Sequence, residues 1–318
     1  NFWHWDMVLT GLDWKYFNWQ QMEFFGHLNL MKTGLVFADA LSTVSPRYAE
    51  EIQSQPQGCG MEGVLRDRSH ILSGILNGVD YTIWNPRTDR HLPAQYDAHE
   101  PAGKATCKAA LQQELGMPVQ ADVTLVGMVG RLADQKGLDL LTTVIPQWLE
   151  SSPLQWAILG SGDPRYEQAL RRLASQYPEK FFVHIGFSDP LAHRIEAGAD
   201  MFLMPSLYEP CGLSQLYSLK YGTVPVVRAT GGLADTITDA TPLALQAGTA
   251  NGLSFQEYTA GAVNRTLRRA CELYAQGETW SQIMTTGMLQ DWSWTRSARQ
   301  YIALYESTCQ RVREEICT

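Results

Sequence analysis

Apolar segments of strand length alternate with helix-period segments from about residue 120 onward. The strand-length segments are continuous runs of Val, Ile, Leu, Met and Phe, which is typical of strands buried on both faces of a sheet. Their alternation with amphipathic helices predicts an α/β fold with a parallel, doubly wound sheet. The predicted strands and helices are, in chain order, "VTLVGMVG", "GLDLLTTVIPQWLE", "QWAILG", "YEQALRRLASQY", "FFVHIGF", "PLAHRIEAGA", "MFLMPS", "LSQLYSLKYG" and "TVPVVRAT".

The first 80 or so residues have a different pattern: they are rich in aromatic residues and contain only two buried-strand candidates, "ALSTVSP" and "HILSGILNGVD". This segment is too short for a complete second α/β domain. The polar, Pro-bearing stretch "RTDRHLPAQYDAHEPAGKAT" indicates a linker before the helix "CKAALQQELGM". The last residues, "SWTRSARQYIALYESTCQRVREEI", predict a closing helix.

Charge and cysteine usage exclude several classes of function. The chain of 318 residues has a formal net charge of −8 and lacks long basic runs, which disfavours a nucleic-acid or membrane-surface partner. It lacks an apolar stretch of the roughly 18 residues that a membrane span needs, and a signal peptide is not recognisable, so we expect an aqueous compartment. The cysteines form no C-x-x-C pair, which predicts reduced thiols and no metal site. They are Cys59, Cys107, Cys211, Cys271, Cys309 and Cys317.

Two cations are predicted at the ligand-binding edge of the sheet, because open α/β sheets bind ligands beyond the carboxyl ends of their strands. Arg131 directly follows a predicted strand, and Lys136 lies at the start of the next helix. The forked donors of an arginine and the point charge of a lysine together suit a diphosphate. The alternative is a pair of solvated cations on a surface loop.

The loop "LYEPCGLSQ" predicts an anion cradle with an acid beside it. The backbone N–H groups of Gly212, Leu213 and Ser214 open the following helix and point toward any bound anion. Glu209 either caps this helix, a function that falls more naturally to Ser214, or holds sugar hydroxyls or a developing positive centre. Cys211 is either a small packed residue or, at this helix start, a reactive thiol.

Two other glycine-bearing loops have simpler explanations. In "ILGSGDPR" the third position of a dinucleotide-binding fingerprint falls on Arg165, so a tight turn with Asp163 capping a helix that starts at Pro164 is favoured. In "RATGG", Gly231 and Gly232 indicate a sharp turn that adds a second backbone surface to the same edge.

Several motifs occur in one order along the chain: "TVSPRYAEEI", "LNGVDYTIWNP", "GRLADQKGLDLL", "EAGADMFLMPS", "YEPCGLSQLYSLKYGTVPVVRATGGLADT" and "DWSWTRSARQYIALY". Together they closely resemble the bacterial glycogen synthase and plant starch synthase family (glycosyltransferase family 5), over essentially the whole chain. These enzymes are retaining glucosyltransferases that move glucose from ADP-glucose to the non-reducing end of an α-1,4-glucan.

The resemblance implies a GT-B type fold, in which two Rossmann-like domains face a cleft. Residues 1–84 would be the second half of the N-terminal domain and residues 85–291 the nucleotide-sugar-binding domain. Residues 292–318 would form a closing helix that returns to the N-terminal domain. The N-terminal domain is therefore expected to be incomplete.

The resemblance also assigns functions to the candidate residues. Arg131 and Lys136 would bind the ADP phosphates, Glu209 would contact the glucose, and residues 212–214 would bind the distal phosphate. Asn77 would lie near the sugar, and Phe187 would stack on the adenine at a position where some family members have Tyr. The expected ligands are a nucleotide sugar and an α-glucan, without a metal or other cofactor, in a bacterial cytoplasm or plastid stroma. The sequence leaves open ADP-glucose or UDP-glucose, acceptor length and oligomeric state.

Two features of the family are not identifiable. A Lys-x-Gly-Gly-Leu motif is missing: "MKTGLVFADA" lacks the second Gly and stands in the wrong order, so Lys32 is not expected to bind the donor. A donor-contacting His from the N-terminal domain is also not found, and His4 does not replace it. We therefore expect an N-terminally truncated chain that is inactive alone. The alternative is a non-catalytic nucleotide-sugar or glucan-binding module.

Overall fold

The computed structural model describes residues 1–317 as two compact units. One unit comprises Asn1–Leu76 together with the chain from Ser297 onward, and the other comprises Asn77–Arg296. Thr318, the last residue of the predicted closing helix, lies outside the described residues. Among the helices of residues 1–317, none is both long and apolar enough to cross a membrane.

The first unit contains short elements around small cores. Met7, Met22 and Leu28 form one of these cores. Lys32 is buried, and its ammonium donates hydrogen bonds to the backbone carbonyls of Trp19 and Glu23, so it has a structural function. The elements are 3-10 helices His4–Thr10, Trp14–Tyr16 and Ser69–Ile71, strands β1 (Glu23–Phe24), β2 (His27–Leu28), β3 (Leu41–Thr43) and β4 (Leu72–Gly74), and helices α1 (Leu30–Phe37), α2 (Pro46–Glu51) and α3 (Glu62–Asp67). Both predicted strands are present, as the parallel pair β3–β4.

The second unit is built on a six-stranded sheet with the order β10-β9-β8-β5-β6-β7. All five pairings between neighbouring strands are parallel, which confirms the predicted α/β class. The strands are β5 (Leu125–Val129), β6 (Gln155–Gly160), β7 (Phe181–Ile185), β8 (Met201–Met204), β9 (Val224–Arg228) and β10 (Leu253–Phe255). The order reverses between β5 and β8, so the chain proceeds from these two strands in opposite directions along the sheet, the arrangement that opens a ligand crevice at their carboxyl ends.

Helices cover the sheet because its strands are apolar on both faces. Val126 and Ile158 pack into a core with residues of α5, α6 and α11, whereas α7 contacts β5 and β6 outside that core. The helices of this unit are α4 (Gly103–Glu114), α5 (Leu138–Ser151), α6 (Pro164–Gln176), α7 (Asp189–Gly198), α8 (Ser214–Tyr221), α9 (Gly231–Thr236), α10 (Pro242–Gln246), α11 (Ala260–Tyr274) and α12 (Gly277–Leu289). The last helix, α13 (Trp294–Cys317), begins in this unit and continues in the first.

The stretch 87–106 is not the linker that its composition predicted. Leu92 and Tyr96 are buried, and the Tyr96 hydroxyl donates a hydrogen bond of 2.7 Å to the carbonyl of Tyr221. Asp89, also buried, accepts a 2.6 Å hydrogen bond from the Tyr221 hydroxyl. The segment is therefore an irregular but packed part of the second unit, fixed by side-chain contacts with distant helices.

Candidate functional site

The loops after β5 and β8 bring Lys136 and Glu209 into contact. The Lys136 ammonium donates a 2.5 Å hydrogen bond to Glu209 Oε2, and the Ser206 hydroxyl donates to the same oxygen at 3.1 Å. The Glu209 side chain is 7% exposed and that of Lys136 is 21% exposed. The two donors therefore fix the orientation of the Glu209 carboxylate. The Lys136 ammonium is still partly exposed, so it can also bind a second anion.

The backbone around Lys136 fixes this geometry. Lys136 ends the 3-10 helix Asp134–Lys136, and Gly137 follows in the left-handed region with φ of 78°. A Cβ at Gly137 would lie 2.3 Å from the carbonyl oxygen of Pro205, so only glycine lets the two loops approach this closely. The Leu207 amide also donates a 2.9 Å hydrogen bond to the Gln135 carbonyl. The two loops therefore form one rigid edge.

The "TGG" turn holds the backbone of Glu209. The Gly232 amide donates hydrogen bonds to the carbonyls of Glu209 and Pro210, at 3.1 and 3.2 Å. A Cβ at Gly231, whose φ is 45°, would lie only 2.0 Å from the Glu209 carbonyl oxygen. The "TGG" turn, predicted from the sequence as a second backbone surface, therefore holds the backbone of Glu209 in place.

Arg228 and Ser206 also belong to the candidate site, although neither was predicted from the sequence. Arg228 ends β9, and its guanidinium donates hydrogen bonds to the carbonyls of Leu207, at 2.7 Å, and Ser206, at 3.3 Å. A cation directly after a buried strand, in "VVRATGG", is the same signal that pointed to Arg131. Arg228 is thus a positioning residue for the loop that carries Glu209.

The amides of Gly212, Leu213 and Ser214 lie at the start of α8, as predicted. Helix α8 begins at Ser214, and its N-terminus lacks a side-chain cap. The interpretation of Ser214 as the capping residue is therefore wrong, because Ser214 is already helical. Within residues 1–317 these three amides have no hydrogen-bond acceptor. They remain available to an anion, and the dipole of α8 favours one there.

Cys211 is a packed residue. It is 5% exposed, and this burial raises the pKa of the thiol to about 11 despite a hydrogen bond to the backbone of Asn77. A protonated thiol is a poor nucleophile, which favours packing over reactivity. The contact also places the Asn77 backbone against the loop that carries Glu209.

Arg131 and Phe187 line one cavity. It has a volume of about 260 Å³ and lies at the carboxyl ends of β5, β6 and β7. The Phe187 ring is 90% exposed. The Arg131 guanidinium donates a hydrogen bond to Gln135, the residue next to Lys136. Apolar walls with an exposed ring and a nearby cation suit a flat aromatic group that carries a negative charge.

The "GSGD" loop has the simple structure that was predicted. The Asp163 carboxylate accepts a 2.8 Å hydrogen bond from the amide of Arg165, and Pro164 occupies the first turn of α6. Asp163 therefore caps a helix, and the loop is not a dinucleotide-binding turn.

Comparisons with known proteins place this fold and these loops in one class. The model of the group 1 glycosyl transferases matches residues 117–283, and the model of the starch synthase catalytic domain matches residues 1–67. The chain belongs to the group 1 glycosyl transferases. Its similarity to the starch synthase catalytic domain and to glycogen synthases confirms the resemblance drawn from the motifs.

Individual relatives support this placement. The glycogen synthase of Rhodopirellula baltica is 52% identical over 302 residues, which cover 94% of this chain and 60% of that protein. The glycogen synthase of Anaeromyxobacter dehalogenans is 52% identical over 297 residues, which cover 93% of this chain and 62% of that protein. The chain thus spans about 60% of the length of these relatives.

Solved structures agree with the sequence comparisons. The catalytic domain of starch synthase IV from Arabidopsis thaliana, bound to ADP and acarbose, superposes with a TM-score of 0.85 at 34% identity. The match covers 94% of this chain and 62% of that one. Sucrose-phosphate synthase from Thermosynechococcus elongatus, at 19% identity and a TM-score of 0.59, shares the fold alone. The GT-B fold class is confirmed.

Proposed function

We propose that the chain carries the donor site of a retaining glucosyltransferase that moves glucose from ADP-glucose to the non-reducing end of an α-1,4-glucan. The observation that carries the proposal is the Lys136–Glu209 pair beside three amides that have no acceptor among residues 1–317. In such a site the Glu209 carboxylate can accept hydrogen bonds from sugar hydroxyls, while Lys136 and the amides of residues 212–214 can donate to a phosphate. A solved relative, starch synthase IV, carries ADP and acarbose in its catalytic domain.

The charges of this site suit glycosyl transfer. When the bond between the sugar and the diphosphate breaks, positive charge develops on the sugar carbon and negative charge on the departing phosphate. The amides of residues 212–214 with Lys136 and Arg131 would stabilise the negative charge, and Glu209 would lie on the sugar side. Hydrolysis would instead require two carboxylates that flank the bond. We propose that transfer uses no metal, and that it occurs in an aqueous compartment such as a bacterial cytoplasm or plastid stroma.

Radiolabelled glucose transfer to glycogen, with ADP-glucose and UDP-glucose in parallel, tests the proposal. We expect the 318 residues to bind ADP but to elongate glucan poorly, because the Lys-x-Gly-Gly-Leu motif is not identifiable in them. Elongation by the chain alone would contradict that expectation and support the enzyme directly. Glucan binding without ADP binding would favour the second candidate, a non-catalytic glucan-binding module, and would overturn the donor-site proposal.

Replacing Phe187 with Ala is expected to weaken ADP binding about 5- to 150-fold, because a base stacked on an aromatic ring contributes roughly 1–3 kcal/mol. Calorimetric titration with ADP and with inorganic diphosphate separates the two halves of the ligand, since diphosphate has no base to lose. Leu243→Ala, another change of an exposed apolar side chain, is the control. Equal ADP affinity for parent and Phe187→Ala would show that the base does not bind in the 260 Å³ cavity.

Replacing Glu209 with Gln is expected to separate binding from transfer. The change removes the carboxylate that holds Lys136, so the site becomes more positive and diphosphate should bind about 5-fold more tightly, as expected for about 1 kcal/mol in a partly exposed site. Sugar recognition should weaken at the same time, so ADP-glucose should lose its advantage over ADP. Titration with both ligands measures this ratio. An unchanged ratio would contradict the placement of Glu209 on the sugar side.

A further inference from the structure

Two histidines and an aspartate from separate segments converge in the second unit. Asp189 and His193 lie four residues apart on α7, hence on one face of the helix, and His91 comes from the packed segment before α4. One potential ligand atom from each side chain lies within 4.8 Å of the other two. Asp189 Oδ1 is 3.9 Å from His193 Nε2. None of the three is assigned to the donor site.

The His193 ring is held in one orientation. It stacks on Trp84, with ring centroids 3.8 Å apart and an interplanar angle of 8°. Its Nδ1 lies 2.6 Å from Asp89 Oδ2. The carboxylate of Asp89 also accepts hydrogen bonds from the Tyr221 hydroxyl, at 2.6 Å, and the His91 amide, at 2.8 Å. One buried carboxylate therefore positions both histidine-bearing segments.

The contact with Asp89 determines which nitrogen of His193 carries the proton. Asp89 accepts from the Tyr221 hydroxyl at Oδ2 and from the His91 amide at Oδ1, so it is the acceptor in its contact with His193, and Nδ1 of His193 donates. In the neutral ring, Nε2 consequently carries the lone pair, and Asp189 Oδ1 lies 3.9 Å from it.

This lone pair is buried and unused. His193 is 1% exposed, and within the described part of the chain its Nε2 finds no hydrogen-bond partner. Buried polar atoms are normally satisfied, and an exception calls for an explanation. A carboxylate bonded to one ring nitrogen, with the other nitrogen directed at further ligands, is the arrangement that orients metal-binding histidines.

We propose that His91, Asp189 and His193 bind a divalent ion of the zinc class. Imidazole nitrogens and one carboxylate suit Zn²⁺, whereas Ca²⁺ and Mg²⁺ prefer all-oxygen sites. With zinc–ligand distances of about 2.0–2.2 Å, the ligand atoms of a tetrahedral site lie roughly 3.4 Å apart. The 3.9 Å between Asp189 Oδ1 and His193 Nε2 is close to this value. Rotation of the exposed Asp189 and half-buried His91 side chains would shorten the remaining distances between ligand atoms. Water would occupy the fourth position.

The site was not predicted from the sequence because its ligands come from two segments, and only the pair on α7 has a recognisable spacing. A bound ion would tie the packed segment 87–106 to the first turn of α7. That turn directly follows the loop of Phe187, so the ion would stiffen one wall of the 260 Å³ cavity. The ion would act on structure and would take no part in transfer.

Calorimetric titration with Zn²⁺ tests the proposal, in a chain whose exposed Cys59 and Cys309 are replaced by Ser so that these two thiols do not compete. We expect one equivalent to bind, and His91→Asn and Asp189→Asn each to weaken the affinity by at least about 10-fold. His99→Asn changes an exposed histidine of the same segment and should bind as the parent does. Binding of Co²⁺ should give the visible absorption of a tetrahedral ion with nitrogen and oxygen ligands.

Two results would overturn the site. One is equal Zn²⁺ affinity in the parent, His91→Asn, Asp189→Asn and His99→Asn. The other is the loss of zinc binding when Cys59 and Cys309 are replaced, which would assign the ion to thiols. Both ligand variants change side chains that are not fully buried, so they should fold, and far-ultraviolet circular dichroism verifies this.

Discussion

Lys136→Ala is expected to weaken ADP binding about 10- to 150-fold and, wherever transfer is measurable, to slow it about 10²- to 10³-fold. A charge-assisted hydrogen bond to phosphate contributes roughly 1.5–3 kcal/mol, and removing one donor from a site of charge development costs about 10²–10³ in rate. The Glu209 carboxylate would also lose its ammonium partner and repel the incoming phosphate. Calorimetry with ADP and with inorganic diphosphate should show the same loss, because the base is not involved.

Two further variants make this result specific. Lys220→Ala removes the same charge from α8, where the Lys220 ammonium lies 4.8 Å from the Tyr81 ring centroid, so it controls for net charge. Lys136→Ala combined with Glu209→Gln should recover part of the lost affinity, because the repelling carboxylate is gone. The double-mutant cycle measures this coupling. Unchanged ADP affinity in Lys136→Ala would remove the diphosphate function of this residue.

The central strands could be predicted because each is a continuous apolar run. The run "QWAILG" corresponds to β6, Gln155–Gly160, and the "MFLM" run to β8, Met201–Met204. Such runs arise because every residue of a central parallel strand is covered by a helix. Strand β10, Leu253–Phe255, was not predicted. It has three residues at the sheet edge, and its pairing with β9 determines it more than any local pattern.

The composition of the segment 87–106 predicted a linker, and this prediction is wrong because the polar residues there form hydrogen bonds with residues distant in sequence. Asp89 binds Tyr221 and His193, which lie on α8 and α7. The three-dimensional proximity of these helices is invisible in the local sequence, so a buried polar network resembles a solvated linker. The same network orients His193, and the proposed metal site was not recognisable in the sequence for the same reason.

The candidate site, like the fold, could be predicted from the sequence only in part. The types and positions of Arg131, Lys136 and Glu209 could be read from the sequence, since each follows a buried strand whose carboxyl end faces the ligand edge. The pairing of Lys136 with Glu209 could not, because they are 73 residues apart. Donor and acceptor were therefore predicted to act separately, whereas in the structure each determines the position of the other.

The support of Glu209 by the "TGG" turn leads to the second large effect, on stability. Gly231→Ala is expected to destabilise the chain by about 2–5 kcal/mol. A left-handed backbone costs a non-glycine residue roughly 1–2 kcal/mol, and overpacking adds about 1–3 kcal/mol. The added Cβ would lie 2.0 Å from the Glu209 carbonyl oxygen, so this loop must move. Urea unfolding followed by tryptophan fluorescence measures the loss.

Gly261→Ala is the matched control for this change. Gly261 lies in the first turn of α11 with ordinary backbone angles, and the nearest atom to its added Cβ is 3.5 Å away, at the end of the flexible Arg265 side chain. It should leave stability unchanged or raise it by about 0.4–1 kcal/mol. Folded Gly231→Ala should also bind ADP-glucose more weakly than the control, since Glu209 and the amides of residues 212–214 share the displaced loop. Equal unfolding midpoints for the two variants would show that the turn can move without loss of stability, and Glu209 would then have to be positioned by Lys136, Ser206 and Arg228 without it.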